Sequence, residues 1–123
     1  MITVTKKFEF EAAHYLENHP GLCKNLHGHT FKLEVEVSGD ILTNGMIVDF
    51  SDLKKIVNDT IIKLVDHKFL NDVFDFIPTS EKMVEYFAAL LIGGFYSFQI
   101  NSNFELERVR LYETTNSYAE WKR

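Results

Sequence analysis

The 123-residue chain predicts an α+β domain in which an antiparallel four-stranded sheet carries two helices on one face. Three observations lead to this fold class. Apolar and polar residues alternate in the first third of the chain, which is typical of half-buried strands. They alternate again near the end, around a turn over residues 114–117. Between these regions, apolar residues recur at helical spacing, so the element order is strand, strand, helix, helix, strand, strand.

The first two strands are predicted to pair with each other. Residues 2–12 alternate between apolar and polar, with Lys6 as the exception, and His14 continues the apolar parity. Residues 27–37 alternate in the same way after a loop over residues 15–26. Because one loop joins them, these two strands pair most simply in the antiparallel direction.

The central part of the chain predicts two helices. Apolar residues recur at helical spacing over residues 53–64, and either Asp49 or Ser51 is available as the N-cap. The same spacing over residues 83–91 predicts a second helix. The Gly93-Gly94 pair either ends this helix or only weakens it, and the pattern does not decide between the two.

Composition and charge restrict the class of protein. Thirteen Lys and Arg against eighteen Asp and Glu give a net charge of −5, which argues against a nucleic-acid-coating protein. No apolar run approaches the ~20 residues that span a bilayer, and the N-terminus lacks a signal-peptide layout. One cysteine excludes an internal disulfide, so we expect a cytoplasmic protein. We also expect one domain, over residues 1–123.

Three histidines are the candidate metal ligands. His27 and His29 are two apart on a strand, so they project from the same face. His14 ends the first strand where the second begins, so a hairpin brings it to the other two. Three neutral imidazoles suit zinc and leave a fourth position open, as in a catalytic site. Spacing leaves an alternative open, in which Cys23 closes a structural Cys-His₃ site, and His19 is interpreted as a solvated loop histidine.

Polar groups at the ends of other elements are further candidates. Asp66 and His67 follow the first helix, and the pair is either a polarised general acid/base or a helix-end cap. Residues 78–81, with the sequence PTSE, match a helix N-terminal capping signature, and their N–H groups are also available to a ligand. Glu113 shares the parity of Leu111 and ends a strand on the apolar face. A carboxylate there needs a partner, either a ligand with paired N–H donors or a bound arginine.

Six motifs, which together span nearly the whole chain, occur in this order: FEAAH, CKNLHGH, GMIVDF, LVDHKFLN, PTSE and VRLYET. The ordered set closely resembles the 6-pyruvoyltetrahydropterin synthase / 6-carboxytetrahydropterin synthase family. This resemblance implies the tunnelling fold, in which three subunits form a barrel of strands and two trimers stack into a homohexamer. It also implies active sites between subunits.

The resemblance implies a role for each candidate residue. Three residues would bind the catalytic zinc: His14, His27 and His29. Three residues would serve proton transfer: Cys23 as the proton acceptor, and Asp66 with His67 as the relay. Four residues would hold the pterin: Thr79, Ser80, Glu81 and Glu113, the last of which is also tied to the relay. One position departs from the family pattern, because Lys82 stands where Asn is usual.

The resemblance also favours one activity within the family. Three residues separate Cys23 from His27, and the last strands carry the segment YETTNSYAEW; both features resemble bacterial carboxy-forming enzymes of the 7-deazaguanine (queuosine) route. The implied reaction converts 7,8-dihydroneopterin triphosphate to 6-carboxytetrahydropterin, acetaldehyde and triphosphate. One alternative is a 6-pyruvoyltetrahydropterin synthase. An alternative of another class is a non-catalytic pterin-binding or structural zinc module.

Overall fold

The structure is a computed structural model that describes residues 1–98 and 104–123. In these ranges the chain forms one sheet with helices on its apolar face. The strands in these ranges are β1 (Thr3–His14), β2 (His27–Gly39), β3 (Lys68–Phe69), β4 (Phe104–Thr114) and β5 (Ser117–Lys122). The helices are α1 (Phe50–Val57), α2 (Lys63–Val65), α3 (Leu70–Val73) and α4 (Ser80–Phe98). A π-helical turn, Asn58–Ile62, joins α1 to α2, so these three segments form one continuous helix.

The sheet has the strand order β3-β1-β2-β4-β5. The four long strands are antiparallel, as predicted, and the α+β class is confirmed. The prediction of four strands needs a correction, because β3 adds a fifth strand that runs parallel to β1 and makes the sheet mixed. β3 is only two residues long and pairs with Ala12 and Ala13 alone, which is too short for an alternating pattern.

The apolar parity of β1 and β2 faces the helices and forms the core. Phe10 of β1 stacks on Phe31 of β2 with ring centroids 4.9 Å apart, and Phe87 of α4 meets Phe10 edge-on. Over residues 33–37 of β2, fully buried apolar residues alternate with half-buried polar residues. This pattern is the predicted one, since successive side chains of a strand point to opposite faces.

The opposite face of the sheet carries paired charges. The guanidinium of Arg108 lies within 3.4 Å of the carboxylates of Glu34 and Glu36. Arg110 pairs with Glu120 and also lies over the ring of Tyr118, 4.6 Å from its centroid. The alternating sequence therefore gives the sheet one apolar face, which packs against the helices, and one charged face.

The structure decides two points that the sequence left open: which residue caps the first helix, and whether the glycine pair ends the second. Asp49 is the N-cap of α1, because its carboxylate accepts a hydrogen bond from the Ser51 N–H at 2.7 Å. The Ser51 hydroxyl and then its N–H lower the pKa of the Asp49 carboxyl. Gly93 and Gly94 do not end the second helix, because α4 continues to Phe98. No helix of the described ranges is long and apolar enough to cross a membrane.

Gly94 permits the close approach of α4 to the helix across from it. A Cβ built at Gly94 would lie 2.9 Å from the γ-methyl of Thr60 and 3.3 Å from that of Ile56. A Cβ built at Gly93, one residue earlier, would meet nothing within 4 Å. The Thr60 side chain cannot turn freely, since its hydroxyl donates to the Ile56 carbonyl at 2.7 Å.

We expect opposite effects from alanine at these two positions. Gly93→Ala should raise the free energy of unfolding by up to about 1 kcal/mol, because alanine is the better helix former. Gly94→Ala gains the same propensity but overpacks the helix contact, so it should lower that free energy by about 1–2 kcal/mol. Urea denaturation of the two purified variants measures both values. Equal stabilisation by the two substitutions would contradict the close helix contact.

Candidate active site

The register between β1 and β2 brings three imidazoles together. His14 lies directly opposite His27, and His29 lies opposite Ala12, whose side chain shares the parity of His14. One nitrogen of each ring lies within 4.8 Å of the corresponding nitrogen of the other two. The convergence that strand parity predicts is therefore confirmed, and the three residues form a possible metal site.

Two of the three rings, those of His14 and His27, are oriented as metal ligands are. The Nδ1 atom of His14 lies 2.8 Å from the carbonyl oxygen of Pro78, and that of His27 lies 2.8 Å from the carbonyl oxygen of Asn25. Since a carbonyl only accepts, Nδ1 carries the proton in both rings and Nε2 keeps its lone pair. Ligand histidines are usually held in this way by the nitrogen that does not bind the metal.

The Nε2 atoms of His14, His27 and His29 are all buried and have no hydrogen-bond partner among the described residues. Buried polar atoms are nearly always paired, so three orphaned lone pairs in one place need a common explanation. A cation at their centre would accept all three lone pairs at once. The donor set therefore fits a metal ion that prefers nitrogen ligands.

Burial keeps two of these imidazoles neutral. Desolvation lowers the pKa of His14 and of His29, and this effect outweighs the raising effect of the nearby Glu113 carboxylate. For His14, the hydrogen bond to the Pro78 carbonyl also raises the pKa without reversing the direction. Neutral imidazole is the form that binds metals, so the packing of this site favours metal binding at neutral pH.

Glu113 stands at the edge of the histidine cluster. It lies at an irregularity in the pairing of β4 with β5, where the register shifts between Tyr112 and Thr114. Its carboxylate is 3.4 Å from Nε2 of His14, and its side chain is 27% exposed. A carboxylate that faces an imidazole lone pair is repelled unless a cation or an N–H donor comes between them. No arginine pairs with Glu113 among the described residues, so the carboxylate remains available to a ligand.

Cys23 lies outside the cluster. It occupies a short 3₁₀ turn, Leu22–Lys24, is half-buried, and does not belong to the group of converging metal-binding atoms in the described ranges. Its carbonyl accepts a hydrogen bond from the Leu16 N–H at 2.7 Å. Of the two arrangements that spacing left open, the structure has the three-histidine group without the thiol. His19, on the same loop, is exposed, as predicted.

Asp66 is the C-cap residue of α2, and its side chain lies with His67 at the edge of the sheet, beside β1. The Asp66 carboxylate accepts from the Glu11 N–H at 3.0 Å and lies 3.0 Å from Nδ1 of His67. The Glu11 N–H is the main reason that the pKa of Asp66 is lowered. No hydrogen bond or ion pair joins the two residues to the three histidines within the described part of the chain.

The backbone of His67 is in the left-handed region, with φ of 59°. Its N–H donates to the Glu11 carbonyl at 2.6 Å, and the next residue, Lys68, begins β3. A left-handed conformation costs a residue with a side chain about 1–2 kcal/mol and recurs at functional sites. The turn that orients Asp66 and His67 is therefore built at a cost in stability.

The PTSE segment has two structural functions. The Thr79 hydroxyl accepts from the Lys82 N–H at 3.1 Å, so Thr79 caps α4, as the capping signature predicts. Ser80 and Glu81 form the first turn of α4. The carbonyl of Pro78, one residue earlier, holds His14. Sequence reasoning missed this carbonyl and that of Asn25, because no pattern of side chains marks a backbone acceptor.

Comparison with known proteins identifies the family. The model of the 6-pyruvoyl tetrahydropterin synthase family matches residues 3–123. The chain belongs to this family. The resemblance of the six sequence motifs is thereby confirmed, and the family is one of enzymes that act in pterin metabolism.

Relatives within the family carry more than one name. The chain is 33% identical over 147 residues to the 6-carboxy-5,6,7,8-tetrahydropterin synthase of Haemophilus influenzae, covering 99% of each protein. It is 38% identical over 104 residues to the dihydroneopterin monophosphate aldolase of Pyrococcus furiosus, covering 85% of this chain and 82% of the relative. The fold matches the structure of the 6-pyruvoyl tetrahydropterin synthase of Caenorhabditis elegans, with a TM-score of 0.83 and 27% identity over 99% of this chain and 95% of the other.

We expect the metal to depend on the histidines and not on the cysteine. After dialysis against Zn²⁺, the unaltered protein should retain about one ion per chain. His27→Ala should lose the metal, because two imidazoles hold it weakly. Cys23→Ala should keep it, because the thiol lies outside the cluster. Metal analysis of the purified proteins measures all three stoichiometries.

His19→Ala is the matched control, since it removes a histidine from the loop that carries Cys23 and leaves the three-histidine cluster unchanged. It should bind as much metal as the unaltered protein. Loss of metal from Cys23→Ala would make the cysteine a ligand and reject the three-histidine site.

Proposed function

We propose that this chain is a zinc-dependent 6-carboxy-5,6,7,8-tetrahydropterin synthase that acts in the cytoplasm in queuosine biosynthesis. The reaction converts 7,8-dihydroneopterin triphosphate and water to 6-carboxytetrahydropterin, acetaldehyde and triphosphate. The observation that carries the proposal is the group of three buried, unpartnered Nε2 atoms with the Glu113 carboxylate at its edge. The name of the full-length relative from Haemophilus influenzae supports the choice of reaction.

Zinc is the metal that suits this donor set. Three imidazoles without a thiolate leave one coordination position for the substrate, which is the usual arrangement of catalytic zinc. When bound, zinc would supply a Lewis acid for the hydroxyl groups of the substrate side chain. The chain contributes the orientation, because the carbonyls of Pro78 and Asn25 hold two of the rings in the ligand tautomer.

Proton transfer is assigned to Cys23, in the loop between β1 and β2, and to the Asp66–His67 pair at the edge of the sheet. Cys23 would remove a proton from the substrate side chain, and His67 would return one to the ring, which is reduced to the tetrahydro level by the electron pair that the side chain gives up as it is oxidised. Asp66 lies 3.0 Å from Nδ1 of His67, so it orients the ring for this transfer. The lowered pKa of Asp66 keeps its carboxylate ionised for this purpose.

The pterin ring is assigned to Glu113 and to the start of α4. The guanidine-like edge of a pterin offers two N–H donors, and Glu113 can accept both in a charge-assisted pair. Thr79, Ser80 and Glu81 would line the ring pocket, next to the Pro78 carbonyl that holds His14. The metal site and the ring pocket would then share one rigid helix start.

Product analysis tests the reaction. With zinc-loaded protein and 7,8-dihydroneopterin triphosphate, we expect acetaldehyde and triphosphate in equal amounts, with 6-carboxytetrahydropterin identified by mass spectrometry. Glu113→Gln should lower kcat/KM by about 10- to 100-fold, because the amide accepts only one of the two N–H bonds. Glu105→Gln, on the same strand but exposed, is the matched control and should leave kcat/KM unchanged.

Three results would replace this assignment. A pyruvoyl product without acetaldehyde would make the chain a 6-pyruvoyltetrahydropterin synthase. Turnover of dihydroneopterin monophosphate but not of the triphosphate would indicate the activity for which the Pyrococcus furiosus relative is named. No release of phosphate from zinc-loaded protein that binds pterin would indicate a non-catalytic module.

We also propose that six chains assemble as two stacked trimers with the active sites between subunits. The free edge of β5 and most of the outer edge of β1 are unpaired within the described chain, since β3 covers only two residues. Unpaired edges favour association, and closing three sheets into a ring pairs them. A shared site would also bring the Asp66–His67 pair of one subunit to the histidines of another.

Light scattering measures the assembly. We expect about 86 kDa, six times the 14.3 kDa of one chain, with trimers as the smaller species on dilution. The same sample should be assayed for turnover. A monomer with full activity would contradict both the hexamer and the shared site.

A further inference from the structure

Asn71 makes a reciprocal pair of hydrogen bonds with the backbone of Tyr15. Its Oδ1 accepts from the Tyr15 N–H at 2.9 Å, and its Nδ2 donates to the Tyr15 carbonyl at 3.0 Å. Because Tyr15 offers one donor and one acceptor, the two bonds fix the orientation of the carboxamide. The side chain thus takes the place of a neighbouring strand at the residue that follows β1.

Both ends of this contact are attached to functional segments. Tyr15 follows His14 directly, and the N–H of Leu16 donates to the carbonyl of Cys23 at 2.7 Å. The start of the loop is therefore fixed by Asn71 and in turn holds the turn that carries the thiol. Asn71 belongs to the same short segment as Asp66 and His67, which is itself hydrogen-bonded to β1.

The two residues that precede Asn71 are held by burial in the core and by strand pairing. The preceding residue, Leu70, is fully buried in the core, and Phe69 of β3 pairs with Ala13 of β1. The ring of Phe69 also contacts that of Tyr15, with centroids 5.9 Å apart. The two residues that precede Asn71 are thus fixed to β1 and to the core, and they place its carboxamide against Tyr15.

We infer that Asn71 is a positioning residue that sets the location of the Cys23 thiol relative to the histidine cluster. The inference rests on the proposed function, in which that thiol accepts a proton from the substrate. His14 does not need Asn71 to the same degree, because the Pro78 carbonyl and the pairing with His27 hold it independently. Loss of the carboxamide therefore releases the cysteine loop and spares the metal.

The single cysteine of the chain provides a direct probe of this inference. Asn71→Leu keeps the size of the side chain and removes both hydrogen bonds. We expect Cys23 in this variant to react with a thiol reagent about tenfold faster, with the zinc content unchanged. In the dihydroneopterin triphosphate assay, kcat should fall by about 10- to 100-fold while KM changes little, because the proton acceptor is displaced.

Asn71→Asp keeps the acceptor for the Tyr15 N–H and loses the donor, so both effects should be intermediate. This variant also serves if Asn71→Leu does not fold. Ile61→Val is the control for general loss of stability, because Ile61 is fully buried in the π-helical turn and belongs to neither segment. It should change neither the thiol rate nor kcat.

The two readouts separate the inference from the function on which it rests. If the unaltered protein does not turn over, the proposed function fails, and the thiol rates still decide whether Asn71 holds the loop. An unchanged thiol rate in folded Asn71→Leu would overturn the inference. The same loss of kcat in Ile61→Val would also overturn it, because the effect would then be one of stability alone.

Discussion

The antiparallel register of β1 and β2 is the constraint on which the rest of the structure depends. A slip of one residue would turn every side chain of a strand to the opposite face. In β2 the same slip would expose Phe31 and would point His27 and His29 away from His14. The hydrophobic core therefore determines the geometry of the three-histidine cluster. Packing energy from many apolar residues supports an arrangement of three polar rings that is unfavourable by itself.

The site is built where the sheet meets the start of α4, and burial and polarity act together there. Desolvation keeps two imidazoles neutral, and backbone carbonyls supply the hydrogen bonds that fix the ring orientations. Backbone acceptors do not titrate, so the hydrogen bonds from His14 and His27 to the carbonyls of Pro78 and Asn25 do not depend on the ionisation of an acceptor. The groups assigned to proton transfer lie outside this buried centre, in a loop turn and at a sheet edge.

Residues whose position follows from strand parity could be predicted from the sequence. His14, His27, His29 and Glu113 are such residues, because a period of two assigns each side chain to a face. Residues whose role depends on tertiary contacts could not be placed in this way. The two-residue strand β3 has no periodicity, and the carboxamide of Asn71 reaches a residue 56 positions away. The path of the loop that carries Cys23 follows from such contacts as well.

The left-handed backbone of His67 limits which side chains can serve at that position. Most residues with a Cβ are disfavoured at a φ of 59°, and the polar residues enriched there are Asn, Asp and His. Among side chains that transfer protons near neutral pH, this conformation disfavours Lys, Glu, Tyr and Cys before any chemistry is considered. Histidine meets both requirements, so the turn geometry and the proposed acid–base task select the same residue.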